Sequence, residues 1–396
     1  MLLRIKLTAT VLMAACFVSA CGGGSGGGSS TPTLQPTVVP SVEPTIEPTF
    51  EPTEPTPEST PEPTPAPEVS SLHSLADFPI GVAVAAGNDP KSLLSSSERQ
   101  VIVTTHFNLL SAENIMKPQY MHPAENRYFW DEADALLAFA QANGLQLHGH
   151  TLVWHSQIAS WMQEYSGSRA EWTAMMENHI NAIVQHFEGD IVSWDVVNEA
   201  FNDSDGSYRE SVWYTNIGEG YLAKAFIAAR AADANVDLYY NDYNLSHNGA
   251  KLDGAMTMVD SFIANSTPID GIGFQMHISL GYPTITQIQA AFAKVVARDL
   301  KVKITELDIT VNGSEQLTTL TPAAALAQRE RYRAVVKAYR DVVPAELRGG
   351  ITVWGITDTD SWLPGFHNRD EWGLLFNGDY SPKQALQGFA EGLTGE

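Results

Sequence analysis

The chain has 396 residues, 22 prolines, 30 glycines, two cysteines and a formal charge of −23. Twelve prolines fall between Pro32 and Pro67, and both cysteines, Cys16 and Cys21, lie in the first 21 residues, so residues 71–396 hold neither a disulfide scaffold nor a thiolate metal site. Setting aside the +2 of Arg4 and Lys6 and the −7 of seven linker glutamates leaves −18 for residues 71–396, which disfavours nucleic acid and anionic membranes as partners.

Residues 1–20 pattern as a secretory signal. Arg4 and Lys6 precede an apolar run from Leu7 to Ala20, too short for a comfortable bilayer span of about 20 residues. The break Val18-Ser19-Ala20-Cys21 resembles the lipobox of bacterial lipoproteins, which implies lipidation of Cys21. Residues 21–70 form a spacer with two regimes. Gly22 to Ser30 is a Gly/Ser tract, and Thr31 to Glu68 repeats Glu-Pro-Thr units that favour an extended chain. The segment has too few large apolar residues to bury a core.

From Phe78 onward, apolar runs alternate with helical periodicity. The predicted strands are Ile80–Ala85, Leu109–Glu113, Leu145–Val153, Ile191–Asn198, Val236–Asn241, Gly271–His277, Lys301–Ile309 and Gly350–Ile356. Between them, sets such as Ala133-Leu136-Leu137-Phe139-Ala140 and Leu222-Ala225-Phe226-Ala229 repeat near 3.6 residues. Residues 71–396 therefore read as a (β/α)8 TIM barrel of the α/β class, with a doubly wound open sheet as the alternative. Polar residues gather at the ends of the runs: Glu113 and Asn114, His148, His150 and Trp154, Asn198 and Glu199, Asn241 and Asp242, Gln275 and His277, Glu306 and Asp308, and Trp354. Barrel enzymes place their chemistry at these ends.

Glu199 closes the fourth run and Glu306 sits in the seventh, so both can face one mouth from opposite walls. Paired carboxylates across a polar substrate suit glycoside hydrolysis. Trp154, Trp194, Trp354 and Trp362 lie beside the same ends, and flat indoles match the apolar faces of sugar rings. The competing reading is metal-dependent hydrolysis, with His148 and His150 as a His-x-His pair and His155, His277 and Asp308 as further ligands. A carboxylate pair requires no metal and no cofactor.

The chain resembles family 10 glycoside hydrolases, the endo-β-1,4-xylanases, through most of residues 78–390. The matching motifs run from Ser111-Ala112-Glu113-Asn114-Ile115-Met116-Lys117 through Gly149-His150-Thr151-Leu152-Val153-Trp154-His155-Ser156-Gln157. They continue with Trp194-Asp195-Val196-Val197-Asn198-Glu199-Ala200, Tyr240-Asn241-Asp242-Tyr243-Asn244, Gly271-Ile272-Gly273-Phe274-Gln275-Met276-His277, Ile304-Thr305-Glu306-Leu307-Asp308, and the pair Trp354-Gly355 with Trp362. The resemblance implies a retaining mechanism with carboxylates about 5–5.5 Å apart, Glu306 as nucleophile and Glu199 as acid/base. It further implies that His277 orients Glu306, that Asp308 holds His277, and that Asn198 binds a sugar 2-hydroxyl. Glu113, Asn114, Lys117, His150, Gln157 and Gln275 would bind sugar hydroxyls, with Trp154, Trp354 and Trp362 as aromatic walls and Tyr243 toward the leaving-group side. Xylan and xylo-oligosaccharides are the implied partners. The expected form is a monomer, exported and lipid-anchored at the bacterial cell envelope, at the outer membrane or cell surface. Three features depart from the family pattern: His148 in place of the usual arginine, Pro118 after Lys117, and the loop 364–372.

Overall fold

The computed structural model describes residues 69–395, Asn248 and Glu315 apart. The signal segment, Cys21 and all but the last two residues of the spacer lie outside the described residues. The strands are β1 (Ile80–Val84), β2 (Leu109–Ala112), β3 (Gln146–Val153), β4 (Ser193–Asn198), β5 (Asp237–Asp242), β6 (Gly271–Phe274), β7 (His277–Ser279), β8 (Lys301–Thr310) and β9 (Arg348–Val353). All pair in parallel. β1 meets β9 through Ile80 and Ile351, and β6 meets β8 through Gly271 and Lys301, so eight strands close on themselves. Closure decides for the barrel against the open sheet.

The predicted sixth strand is interrupted. Met276 adopts φ +61°, and the chain resumes as β7, which pairs His277 with Asp308 on the upper half of β8. One wall thus has a lower part that closes the barrel and an upper part that presents His277.

A principal helix follows each strand position, and each buries one stripe. In the helix Arg169–His186 the buried set is Trp172, Met175, Met176, His179, Ile180, Ile183 and Val184, the spacing of a single face. Its start is fixed by a capping box between Ser168 and Glu171, and Thr284 and Gln287 repeat the device for Ile285–Val296. Each such cap contributes about 1 kcal/mol.

The apolar strand residues face outward onto these helices. Trp194 is fully buried this way, with its ring 6.2 Å from Phe187 and lying over Gly149, where a Cβ would meet it at 2.1 Å. It is therefore a packing residue and not part of a sugar-binding wall. Side chains alternate along a strand, so the inward positions of β4 are Ser193 and Asp195.

The interior of the barrel is more polar than an apolar-filled core. His148 Nδ1 lies 2.7 Å from Ser193 Oγ, Lys303 Nζ donates to the same oxygen at 3.0 Å, and Lys303 is 1% exposed. Burial pushes the Lys303 ammonium down to about 8. Above this layer, His150 Nδ1 and His148 Nε2 approach Asp195 Oδ2 at 2.8 and 3.1 Å. Burial opposes the charge of Asp195, but the two imidazoles outweigh it and hold the carboxyl well below its usual range.

A second buried histidine pair lies outside the barrel wall. His179 Nε2 sits 3.0 Å from the Leu152 carbonyl, which makes it the protonated nitrogen and leaves Nδ1 to accept from His122 Nδ1 at 3.0 Å. His122 also stacks on Tyr128 at 4.0 Å. Burial lowers His122 to about 4 and His179 to about 3. Unfolded histidines titrate near 6.5, so between these values the unfolded chain holds more protons, and acid favours it. The pair's contribution is complete above about pH 6.5 and declines as the pH falls toward 4. The melting temperature is accordingly expected to drop between pH 7 and 4.5, and the double substitution His122→Phe with His179→Leu to flatten that drop. An unchanged slope in the double variant would show that the pair does not couple folding to pH.

Candidate active site

The upper ends of the strands surround a cleft of about 840 Å³. Glu113, Asn114 and Lys117 enter it from the segment after β2. His150, Trp154 and Gln157 come from β3 and the residues after it, Asn198 and Glu199 from the end of β4, and Tyr243 from the end of β5. Gln275, His277, Glu306, Trp354 and Trp362 complete the wall. Asp308 stands behind it, fully buried. Apart from Trp194, which packs outside the barrel, and His148, in the layer below, the structure gathers the sequence-derived site residues of residues 71–396 into this cleft or directly against it.

Register breaks aim the two glutamates. Between β4 and β5 the pairing shifts after Asp195, and between β8 and β9 it shifts between Ile304 and Leu307. Strict alternation would send Thr305 and Glu306 to opposite faces. Instead both reach the amide of Asn241: Thr305 Oγ1 donates to its Oδ1 at 2.7 Å, and its Nδ2 donates to Glu306 Oε1 at 2.8 Å.

Glu199 sits one residue beyond β4 in the left-handed region, at φ +58°. A non-glycine residue there costs about 1–3 kcal/mol and persists only when its surroundings over-determine it. Three bonds do so. Glu199 N donates to Asn241 O at 2.9 Å, Ala200 N donates to Tyr240 Oη at 3.0 Å, and Arg209 Nε donates to Glu199 O at 3.0 Å. The carboxylate then receives Gln275 Nε2 at 3.0 Å, while His155 Nδ1 lies 3.8 Å away. Burial lowers the pKa of His155 despite the nearby Glu199.

A chain of amides links the carboxylates. Asn241 Nδ2 contacts both Glu306 and Asn198, and Gln275 Nε2 contacts both Asn198 and Glu199. Behind Glu306, His277 bridges two acids: its Nε2 lies 3.2 Å from Glu306 Oε2, and its Nδ1 lies 3.0 Å from Asp308 Oδ2. Asp308 Oδ2 also accepts from Trp362 Nε1 at 2.8 Å. Burial works against a charged His277, but Asp308 and Glu306 outweigh it and push the imidazole up to about 10. Burial likewise opposes ionisation of Glu306; the hydrogen bond from His277 and the charges of His150 and His277 prevail and hold it below the ordinary carboxylate value. Glu306 is thus an ionised, 5% exposed carboxylate beside a cation.

The opposite rim carries a second charged group. Lys117 Nζ donates to Asn114 Oδ1 at 3.0 Å and lies 5.1 Å from the centre of the Trp154 ring. Burial lowers the Lys117 pKa, opposed by Glu306, Glu113 and Glu199. Burial also raises Glu113, opposed by Lys117. The indoles frame this space: Trp354 meets His150 edge-on at 5.4 Å, and Trp362 meets His277 at 4.9 Å. Hydroxyl-binding groups, flat rings and one carboxylate on each side fit a pyranose ring and its glycosidic oxygen.

The imidazoles named for a metal do not converge. His148 and His150 share Asp195, His155 faces Glu199, and His277 faces Glu306 and Asp308. Among the described residues, no cluster of three or more His, Cys, Asp or Glu is arranged to hold a metal ion. Sequence reasoning passed over Arg209, Lys251, His247 and Tyr282, which carry no motif. Asn241 stood in a quoted motif and at a strand end, yet its place between the glutamates was visible only in three dimensions.

The sequence model of glycosyl hydrolase family 10 matches residues 71–392. The chain is 47% identical over 352 residues to the endo-β-1,4-xylanase Xyn10C of Cellvibrio japonicus, across 83% of this chain and 58% of that protein. It is 45% identical over 351 residues to endo-1,4-β-xylanase A of Cellvibrio japonicus strain Ueda107, across 82% and 57%. It thus spans less than three fifths of the length of these two curated relatives. The native xylanase 10C structure from the first organism superposes with a TM-score of 0.81 at 46% identity, covering 83% of this chain and 73% of that one. A variant of that xylanase in complex with xylopentaose gives the same TM-score and identity, covering 83% and 69%.

Proposed function

The chain belongs to glycosyl hydrolase family 10, and from that premise we propose that it is an endo-1,4-β-xylanase that cleaves xylan with net retention at the anomeric carbon. The observation that carries the reading is the pairing of Glu306, ionised against His277, with Glu199 across a shared amide chain. A cleft of about 840 Å³ lined by indoles and polar side chains supports a substrate of several sugar units. The xylopentaose complex of a xylanase 46% identical to this chain supports the same class.

In the first step Glu306 attacks the anomeric carbon, and the glycosidic bond breaks as Glu199 gives its proton to the departing oxygen. The product is an α-linked xylosyl-enzyme ester and a free chain end. In the second step Glu199 takes a proton from water, the water oxygen displaces Glu306, and the released sugar is β. Formation of the ester consumes the charge of Glu306, so His277 loses one of its two anionic neighbours. Asp308 remains and keeps the ring in place. Asn198 is the proposed partner of the 2-hydroxyl, a contact that strengthens as charge develops on the sugar.

Reducing ends released from xylan, with the product anomer read by NMR before mutarotation, test this function. β product is expected. First-formed α product, or no release, would overturn it. We further propose that the mature chain is exported, lipid-anchored through Cys21 at the cell envelope and monomeric. The intact mass of the mature N-terminus decides the lipid, since an unmodified cysteine there rules it out.

A further inference from the structure

Arg209 belongs to no quoted motif, yet it touches both the acid/base and the leaving-group wall. The chain after β4 folds back on itself, with Phe201 bridged antiparallel to Tyr208 and Arg209 N donating to Ala200 O at 2.7 Å. This turn sets Arg209 beside Glu199. Its Nε donates to the Glu199 carbonyl at 3.0 Å, and its Nη2 donates to Tyr243 Oη at 2.9 Å. One planar fork therefore spans two loops.

Tyr243 is held from a second side. Lys251, 3% exposed, places Nζ 3.3 Å from the centre of the Tyr243 ring and pairs with Asp242 at 2.7 Å and Asp203 at 2.9 Å. The ring cannot retreat into this cation, and its hydroxyl is tied to Arg209. Tyr243 lines the cleft, so a sugar resting on it acts on a rigid lever. The other end of that lever is the carbonyl of a residue at φ +58°, whose conformation depends on its bonds.

We propose that Arg209 is a positioning residue that couples occupation of the leaving-group side at Tyr243 to the placement of Glu199. This rests on the proposed xylanase reading, with Glu199 as acid/base. A sugar on Tyr243 then helps fix the acid that will protonate its own oxygen; without that sugar, only the direct Arg209 bond to the Glu199 carbonyl steadies it.

The test compares kcat/KM for xylohexaose with kcat/KM for dinitrophenyl xylobioside, whose leaving group needs no acid and places no sugar on Tyr243. Arg209→Met is expected to lower the ratio of the two by about 30-fold, a part of the roughly 10²–10⁴-fold that acid catalysis supplies. Arg209→Lys keeps the charge but lacks the fork, and is expected to behave as Arg209→Met does. Tyr243→Phe keeps the ring and removes only the hydroxyl, and should lower the same ratio by about threefold to tenfold. Added azide should restore kcat of Arg209→Met on the dinitrophenyl substrate, because azide needs no base. An unchanged ratio, or equal loss on both substrates without azide rescue, overturns the coupling. Should Arg209→Met fail to fold, the Tyr243→Phe ratio decides. A wild-type chain inert on xylohexaose would instead defeat the xylanase reading itself.

Discussion

Glu306→Ala is expected to leave a folded protein whose xylan hydrolysis is lower by a factor on the order of 10⁶, the scale seen when a covalent nucleophile is removed. The loss follows from the position of the carboxylate. Asn241 and His277 fix both oxygens of Glu306, and the adjacent imidazolium keeps it charged although it is nearly buried. No neighbour can substitute: Asp308 is turned toward His277 and Trp362 and is fully buried. Folding should survive, because His277 retains Asp308 and Asn241 retains Thr305 and Asn198. Glu306→Gln is the sharper control. It preserves volume and leaves an amide that cannot attack, so it should be as inactive as Glu306→Ala while melting closer to the parent chain. It should also lower the His277 pKa, since one of the two acids that raise it is gone. Wild-type activity in either variant would remove Glu306 from the reaction.

The architecture was legible wherever one physical constraint dominates a segment. Strands of a closed parallel barrel are shielded on both faces, so they appear as runs rich in apolar residues, and all eight predicted runs coincide with observed strand positions. The 3.6-residue repeats of the flanking helices are equally direct. The break at Met276 was not legible, because its left-handed backbone leaves no mark in side-chain type. Trp194 shows the reverse problem. Indole chemistry suggested a sugar wall, but alternation from the inward Asp195 turns it out toward Phe187. The polar interior was also hidden: His148 and Lys303 are far apart in sequence and meet only through Ser193. Site residues carried by motifs could be named in advance. Arg209 and Lys251 could not, since their partners lie on other loops at separations with no period.

The complementary substitution, Glu199→Ala, separates the two steps of the proposed reaction. A xylan chain leaves as a sugar alkoxide, which departs slowly without a proton, so hydrolysis of xylan should fall by about 10³–10⁴. Dinitrophenolate is stable as an anion. For dinitrophenyl xylobioside, kcat/KM reports only formation of the ester at Glu306 and should stay within about tenfold of the parent. Its kcat should collapse, because the ester now waits for water with no base to activate it. The structure makes the next outcome specific. Removing the Glu199 side chain clears the space between Gln275 and His155, opening the side of the sugar opposite Glu306 to a small anion. Azide needs no deprotonation and should restore kcat, giving the β-linked xylobiosyl azide after two inversions. An α-linked azide would mean that no ester to Glu306 had formed. If kcat/KM on the dinitrophenyl substrate fell as far as on xylan, Glu199 would be serving the site through its structure, held by Asn241 O, Tyr240 and Arg209, and not through its proton.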